Sequence, residues 1–287
     1  MKYMTLTSAG RLTGLANMLE ILGHDTEDHL IAKGMEAPYL FVRDNTGYRA
    51  GVKLYRPEWL NLYLIPRGFR MEENLVPPNE VCGYLRANSP AMLPLNMGKG
   101  VVRPVVCAGY SDGKYAFINI KPQIAPDADT FTLTAPTLKR RFTEAIVICT
   151  LQPCTPEPVD LLMPLMQSLA ALDAYSLDVI TPFQQSISQQ EFMHIRENLL
   201  RPLMQDLLPL IPFTDDFILA EELRLLNHDY RHIFPCNKRG DVMLSTQLPR
   251  NSVRKCITWL QEDILDRLHA LGVTDEMIDA FMHNNAI

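Results

Sequence analysis

The sequence predicts an α+β half followed by an all-helical half. Runs typical of strands alternate with helical periods as far as about residue 152. The proline-rich junction QPCTPEP comes next, and every later segment repeats its apolar residues at helical spacing. We therefore expect a domain with an antiparallel sheet over residues 1–152 and a helical domain over residues 158–287.

The first predicted element is an amphipathic helix. Its apolar residues recur at spacings of three and four from Leu12 to Leu22, and Gly23 ends the pattern. A second short helix is predicted over 27–33, stopped by Gly34. The stretches APYLFVR and GYRAGVKLY are predicted strands on either side of a DNTG turn. PEWLNLYLIPRGF mixes helix and strand signals, and NEVCGYLRANS predicts a helix.

The clearest strand signal lies in the middle of the chain. PAMLPLNM, RPVVCAGYS and YAFINIK are three extended apolar runs, and Asp112-Gly113 predicts a tight hairpin between the last two. A short helix over APTLKRRFTEA and a strand over AIVICTL complete this half. The second half carries helical periodicity over these ranges: 160–177, 188–209, 215–230, 251–271 and 274–283.

The composition excludes several classes of partner. The chain has 287 residues, of which 47% are hydrophobic, and a formal net charge of -6. Its basic residues nowhere form a run longer than 139–141, which argues against nucleic acid or an anionic membrane as the main partner. The apolar runs are shorter than the ~20 residues of a membrane span, and no signal peptide is evident. Six scattered cysteines predict reduced thiols in a cytoplasmic protein.

Three stretches of the chain carry a resemblance to a known family. GLANMLEILGHDTED holds Asn17 and ends its helical pattern at Gly23, RPVVCAGYSDGKYAFINIKP contains the hairpin 109–113, and PTLKRRFTEA precedes the helical half. In these features the chain resembles papain-like bacterial cysteine enzymes. It is most similar to the N-terminal family of the butirosin biosynthesis protein BtrH, and more distantly similar to the bacteriocin leader peptidases. The resemblance implies a papain-like domain followed by a helical domain.

The resemblance also implies a catalytic triad, of which two members are missing. In these families a Cys caps the first core helix, a His begins a strand, and an Asp or Asn ends the next strand. The Cys position falls at Ala9 or Gly10 here and the His position near Val102 or Arg103, whereas Asn119 matches the third. A papain-like reaction needs a thiolate and a base. We therefore expect no Cys-His chemistry and make no firm enzyme assignment.

A preserved cleft could still bind a ligand where the triad stood. We predict that the binding residues converge there, with Arg11 and Arg103 available to hold an anionic or carbonyl group near a helix N-terminus. The predicted binding residues are Ser8, Gly10, Arg11, Arg103 and Asn119. Two alternatives stay open: Ser8 as a helix cap, and Arg103 in a surface ion pair.

The remaining reactive side chains predict structural roles. Cys107 lies within a strand pattern and is expected to be buried. His228 and His232 are four residues apart on a helical pattern, but no third ligand is evident, so we expect no metal site and no cofactor.

These observations favour a catalytically defective papain-like homologue in a biosynthetic pathway. It would bind a small molecule, a peptide or a carrier-tethered acyl group. The sequence also leaves open that the chain forms a homo-oligomer. One alternative is an active acyltransferase or amide-forming enzyme of the BtrH type whose Cys is replaced at Ala9. A scaffold or assembly subunit is a second alternative, which an exposed helical face rich in Met and Leu would favour.

Overall fold

The chain folds into two compact units, and one segment of the second unit interrupts the sequence of the first. The computed structural model describes residues 1–6, 9–45, 47–98, 100–180, 186–187, 190, 194–213, 217–232, 242–243 and 250–285. The first unit comprises Met1–Met35 and Tyr55–Val159, and the second comprises Glu36–Leu54 and Asp160–Ile287.

The first unit is built on a six-stranded antiparallel sheet with short helices. Its helices are α1 (Gly10–Ile21), α2 (Asp28–Gly34), α3 (Pro57–Leu64), α4 (Val81–Asn88) and α5 (Ala135–Lys139). Its strands are β3 (Phe69–Val76), β4 (Ala91–Gly98), β5 (Val101–Ser111), β6 (Lys114–Asn119), β7 (Thr130–Thr134) and β8 (Ile146–Pro153). They lie in the order β3-β8-β4-β5-β6-β7, each pair antiparallel.

Helix α1 packs on one face of this sheet. Side chains of a strand point alternately to the two faces, and the pairs Met92 with Val106 and Val106 with Ile118 share the face that α1 covers. A β-carbon on Gly14 of α1 would fall on the side chains of Met92 and Ile120, so the helix backbone lies close against the strands. Gly14 therefore allows the helix to approach the sheet.

The opposite face of the sheet holds the main apolar core of this unit. Leu93, Val105 and Phe117 project there and pack with Leu85 of α4 and Leu138 of α5. All five are at most 1% exposed. With α1 on one face and α4 and α5 on the other, both faces of the central strands are covered.

The second unit is mainly helical. Its strands are β1 (Phe41–Asp44), β2 (Gly47–Ala50), β9 (Ser186–Ile187) and β10 (Val242–Met243), which form two two-stranded pairs. Its α-helices are α6 (Leu162–Ile180), α7 (Phe217–His232), α8 (Arg250–Ala270) and α9 (Asp275–Asn285). Shorter helical turns of the π and 3-10 type cover Arg196–Leu200, Pro202–Asp206 and Leu208–Phe213.

The segment 36–54 belongs to the second unit, whereas the sequence predicts it within the domain 1–152. Its β1-β2 hairpin packs on α6, where the rings of Phe41 and Tyr48 each lie 5.0 Å from the ring of Tyr175. The backbone N–H of Phe41 also donates to Ser168 Oγ at 3.0 Å. These aromatic and polar contacts are made by residues more than a hundred positions apart, so local sequence signals do not contain them.

Most elements agree with the sequence predictions. The helix α1, the antiparallel strands across residues 103–120 and their hairpin are confirmed, with Asp112 and Gly113 both at positive φ as a type I′ turn requires. The strand predictions for 37–43 and 47–55 are too long, since each contains a 3-10 turn. Strand β7 and most of strand β3 were not predicted, and the β9-β10 pair departs from an all-helical second half.

Hydrophobicity along the helices bears on membrane insertion. Among the residues that the structure describes, no helix is both long enough and apolar enough to cross a bilayer.

Replacing Gly51 by Ala tests how the segment 36–54 is held. Gly51 has φ +53, and a β-carbon there would overlap the backbone of Asp206 and approach Leu207 Cα. The variant Gly51→Ala should lose more than about 3 kcal/mol of unfolding free energy, because left-handed strain and overpacking add. Urea denaturation followed by circular dichroism measures this loss.

Gly113→Ala is the matched control for that experiment. Gly113 also has positive φ, +76, but a β-carbon there would have no neighbour within 4 Å. It should lose only about 1 kcal/mol, the strain term alone. Equal losses in the two variants would contradict the close packing of Gly51 on the backbone at Asp206.

Candidate functional site

The N-terminal end of α1 meets apolar side chains. A β-carbon on Gly10 would lie 3.4 Å from Pro104 Cγ and 3.5 Å from Ile120 Cγ2, and Ala9 is 2% exposed. Ala9 supplies no side-chain cap to the helix. Proline, isoleucine, alanine and glycine side chains cannot give or take a proton, so these four positions support no acid-base chemistry.

Arg103 and Asn119 lie on the other face of the sheet from α1. Asn119 is paired with Val105, whose side chain belongs to the core beneath α4, and Arg103 is two residues earlier on the same strand. Because facing positions alternate, both side chains point away from the helix that covers Pro104. The structure therefore does not bring them to Gly10, although their sequence neighbours lie there.

Both of these side chains hold the loop that follows β6. Arg103 Nη1 donates to Asp127 Oδ2 at 2.6 Å, and each of these side chains is 47% exposed. Asn119, which is buried, donates from Nδ2 to the carbonyl of Ala128 at 2.5 Å. Lys121 donates to the carbonyl of Asp127 at 2.5 Å. These contacts order the loop, and for Arg103 they match the surface ion pair left open above.

Arg11 forms its own ion pair at the beginning of α1. Its Nη1 lies 2.5 Å from Glu73 Oε1, and its guanidinium carbon is 4.8 Å from the centre of the Tyr55 ring. The charge that was expected to hold a ligand is thus partnered by a carboxylate. Ser8, the remaining predicted binding residue, lies outside the described residues.

A buried thiol shares this environment with Arg11. Cys149 faces Glu73 across the β3-β8 pair, with Sγ 3.8 Å from Glu73 Oε1. Burial raises the pKa of the Cys149 thiol to about 11, and Glu73 adds to the rise while Arg11 opposes it. The thiol is therefore protonated near neutral pH, and a protonated thiol is a poor nucleophile.

A polar cluster that sequence reasoning missed lies beside α1. The buried carboxylate of Asp28 accepts hydrogen bonds from the Thr5 backbone N–H at 2.9 Å and from Thr13 Oγ1 at 2.8 Å. His29 follows, with Nδ1 3.4 Å from Thr5 Oγ1 and 3.3 Å from Glu27 Oε2. The cluster thus anchors the chain before α1.

Across the described ranges, no group of three or more His, Cys, Asp or Glu side chains could hold a metal ion. His228 lies on α7, while the side chain of His232 is outside the described residues.

A groove within the second unit has the size of a ligand site. Its volume is about 660 Å³, which lies within the range of pockets for drug-sized ligands, roughly 300–1,000 Å³. The apolar part of its wall is formed by Val42, Ala170, Ala171, Ala174, Leu177, Phe281 and Met282. The polar part is formed by Arg43, Gln167, Asp173 and His283.

Three elements of the second unit build this groove. Helix α6 supplies its floor, because positions 167, 170, 174 and 177 recur at helical spacing and so share one face. Strand β1 supplies Arg43 and α9 supplies Phe281. The run of alanines within an otherwise bulky helix was the available sequence signal, but no pattern in the chain indicates that β1 and α9 lie beside it.

The two strand residues that contact the loop after β6, one exposed and one buried, should differ in their effects on stability. Arg103→Ala should change the unfolding free energy by at most about 0.5 kcal/mol, since exposed ion pairs contribute little. Asn119→Ala should cost about 1–2 kcal/mol, because it leaves the Ala128 carbonyl without its donor. Urea titration of both variants measures this, and a larger loss at Arg103 would be inconsistent with its surface ion pair.

Cys149 should resist alkylation. Iodoacetamide at pH 8 followed by peptide mass spectrometry should label Cys154, which is half-exposed, at least tenfold faster than Cys149. Unfolding in urea should remove this difference, which controls for peptide recovery. Comparable labelling in the folded protein would mean that the thiol beside Arg11 is reactive.

The chain was matched to a solved structure but not to a family model or a curated protein. No family model matches the chain, and no curated protein matches it. Among solved structures, the chain is similar to the peptidase domain of Streptococcus ComA, described as a bi-functional ABC transporter involved in a quorum sensing pathway. That similarity has a TM-score of 0.36 and 11% identity over 53% of this chain and 96% of that one.

Proposed function

We propose that this chain is a ligand-binding protein without Cys-His catalysis, and that it holds its ligand in the groove of the second unit. The ligand would be a small molecule, a peptide or a carrier-tethered acyl group. The groove itself carries this proposal, since it combines a mainly apolar wall with a few polar side chains. That combination is the usual character of a small-molecule site.

The surroundings of α1 support the absence of Cys-His chemistry. Among the described residues near its first turn, Ala9, Gly10, Pro104 and Ile120 offer neither nucleophile nor base. The Cys149 thiol is buried and protonated near neutral pH, and it lies beside the Glu73 carboxylate. Nucleophilic catalysis requires an activated nucleophile beside a base, and these groups do not meet that requirement.

We also propose that the first unit is a papain-like unit related to the BtrH family. Two observations support this: the sequence resemblance in 14–28 and 109–113, and the packing of α1 across the central strands of an antiparallel sheet. On this proposal, an apolar residue, Pro104, stands at the strand position that faces the helix end. Catalysis would then have been lost while the sheet and helix were kept.

A scaffold role is the second candidate function. The second unit exposes several large apolar side chains, among them Met163, Leu225, Leu271 and Met277, each at least 46% exposed. Single exposed apolar residues are common on protein surfaces. The groove therefore favours ligand binding, and the scaffold reading would be supported by stable self-association that is independent of any ligand.

Filling the groove tests the proposed function. Ala174→Leu places a larger side chain on its wall and should weaken ligand binding at least tenfold while the protein stays folded. A thermal-shift screen of apolar carboxylates, amines, short peptides and acyl thioesters on the wild type identifies the probes. Isothermal titration of those probes against the variant then gives the loss of affinity.

Ala280→Leu is the matched control. Ala280 is exposed on α9 and is not part of the groove wall, so this variant should bind as the wild type does. A screen in which no probe stabilises the wild type would overturn the proposal. So would ligands that bind both variants equally.

A further inference from the structure

Besides His283, the groove wall carries one charged side chain of each sign. Arg43 comes from β1 and Asp173 from α6, while most of the remaining wall is apolar. A ligand that buries its body against alanine, leucine and phenylalanine side chains must also satisfy these charges, because leaving a desolvated charge without a partner is costly. The two charges therefore define what the ends of the ligand must be.

Arg43 has hydrogen-bond donors to offer. Its Nη2 lies 4.0 Å from Asp178 Oδ2, which is longer than a hydrogen bond, and the guanidinium carbon is 5.8 Å from the centre of the Tyr48 ring. Asp178 instead accepts a hydrogen bond from Tyr48 Oη at 2.6 Å. The guanidinium thus lies beside an aromatic ring and a carboxylate but donates a hydrogen bond to neither at these distances. Its N–H groups can therefore donate to a ligand, as a bidentate carboxylate site requires.

Asp173 is the complementary anion. It is exposed on α6, next to Ala174 of the groove wall, and among the described residues it forms no ion pair. Its carboxylate would repel a purely anionic ligand and would attract an ammonium group. Gln167, six residues earlier on the same helix, adds one amide group that can both donate and accept.

We propose that the groove binds a short apolar peptide with both termini free. Its carboxylate pairs with Arg43, its ammonium with Asp173, an internal amide with Gln167, and its side chains pack on the alanine face of α6. This inference rests on the proposed function, because it names the ligand class of the same groove. The volume of about 660 Å³ is ample for a ligand of a few residues.

The experiment uses one tripeptide, Leu-Ala-Leu, in four forms. These are the free peptide, the C-terminal amide, the N-acetyl peptide and the doubly capped peptide, each titrated calorimetrically into the full chain. The free form should bind best. Removing either terminal charge should weaken binding roughly tenfold, as loss of one charge-assisted hydrogen bond does.

Two variants assign each terminus to its residue. Arg43→Gln should bind the free and amidated peptides alike, and Asp173→Asn should bind the free and acetylated peptides alike, while each keeps its sensitivity to the other cap. Arg224→Gln and Asp266→Asn remove charges of the same unit outside the groove wall. These two controls should keep both sensitivities.

The outcomes separate this inference from the proposed function. If the doubly capped peptide binds as tightly as the free one and Ala174→Leu still abolishes binding, the groove binds ligands but the zwitterionic class is wrong. If no form of the peptide binds while another screened probe does, the peptide inference is likewise overturned. If no probe of any class binds, both the proposed ligand-binding function and the peptide inference are overturned.

Discussion

Side-chain alternation in the antiparallel sheet is the constraint on which the first unit depends. The side chains that face α1 include those of Met92, Pro104 and Val106. The residues that alternate with them along β4 and β5 point to the opposite face, where the core lies beneath α4 and α5. Since a strand residue can serve only one face, each position contributes either to the helix side or to the deep core. This division explains why Arg103 contacts Asp127 while its neighbour Pro104 lies at Gly10. The contacts that hold the loop after β6 therefore lie on the opposite face of the sheet from the N-terminal end of α1.

The charged groups around α1 are organised to stabilise the fold. Arg11 is paired with Glu73, and Asp28 receives hydrogen bonds from the chain before the helix and from Thr13 within it. These charges have partners at positions where a charge without a partner would lower the stability of the fold. The raised pKa of the Cys149 thiol fits the same pattern, because burial there keeps the side chain neutral. A site arranged for nucleophilic chemistry would instead stabilise the thiolate.

The second unit gains its groove from a segment that sequence order would assign elsewhere. The β1-β2 hairpin packs on α6 through Phe41, Tyr48 and Tyr175, and that packing brings Arg43 to the alanine face of the helix. The segment 36–54 is also held at Gly51, whose backbone lies close against the backbone of the turn at Asp206. The same aromatic contacts that stabilise the unit therefore also position the Arg43 guanidinium at the groove. Small side chains on α6 leave the space, and α9 closes it with Phe281.

The sequence by itself determined the elements whose signals are local. Periodicity ended by Gly23 indicated α1, Asp112-Gly113 indicated the hairpin, and the prolines at 153–158 indicated the junction near the end of the first unit. These features depend on backbone preferences within a few residues, which the chain carries wherever it folds.

Only the tertiary structure decided which residues meet. The face taken by Arg103 and Asn119 depends on strand register, and a shift of one residue would reverse it. The membership of 36–54 in the helical unit depends on rings more than a hundred residues away, and so does the place of Arg43 in the groove. Local preferences are equal for these alternatives, and packing between distant segments selects among them, because burial is a property of the assembled core and not of any short stretch of sequence.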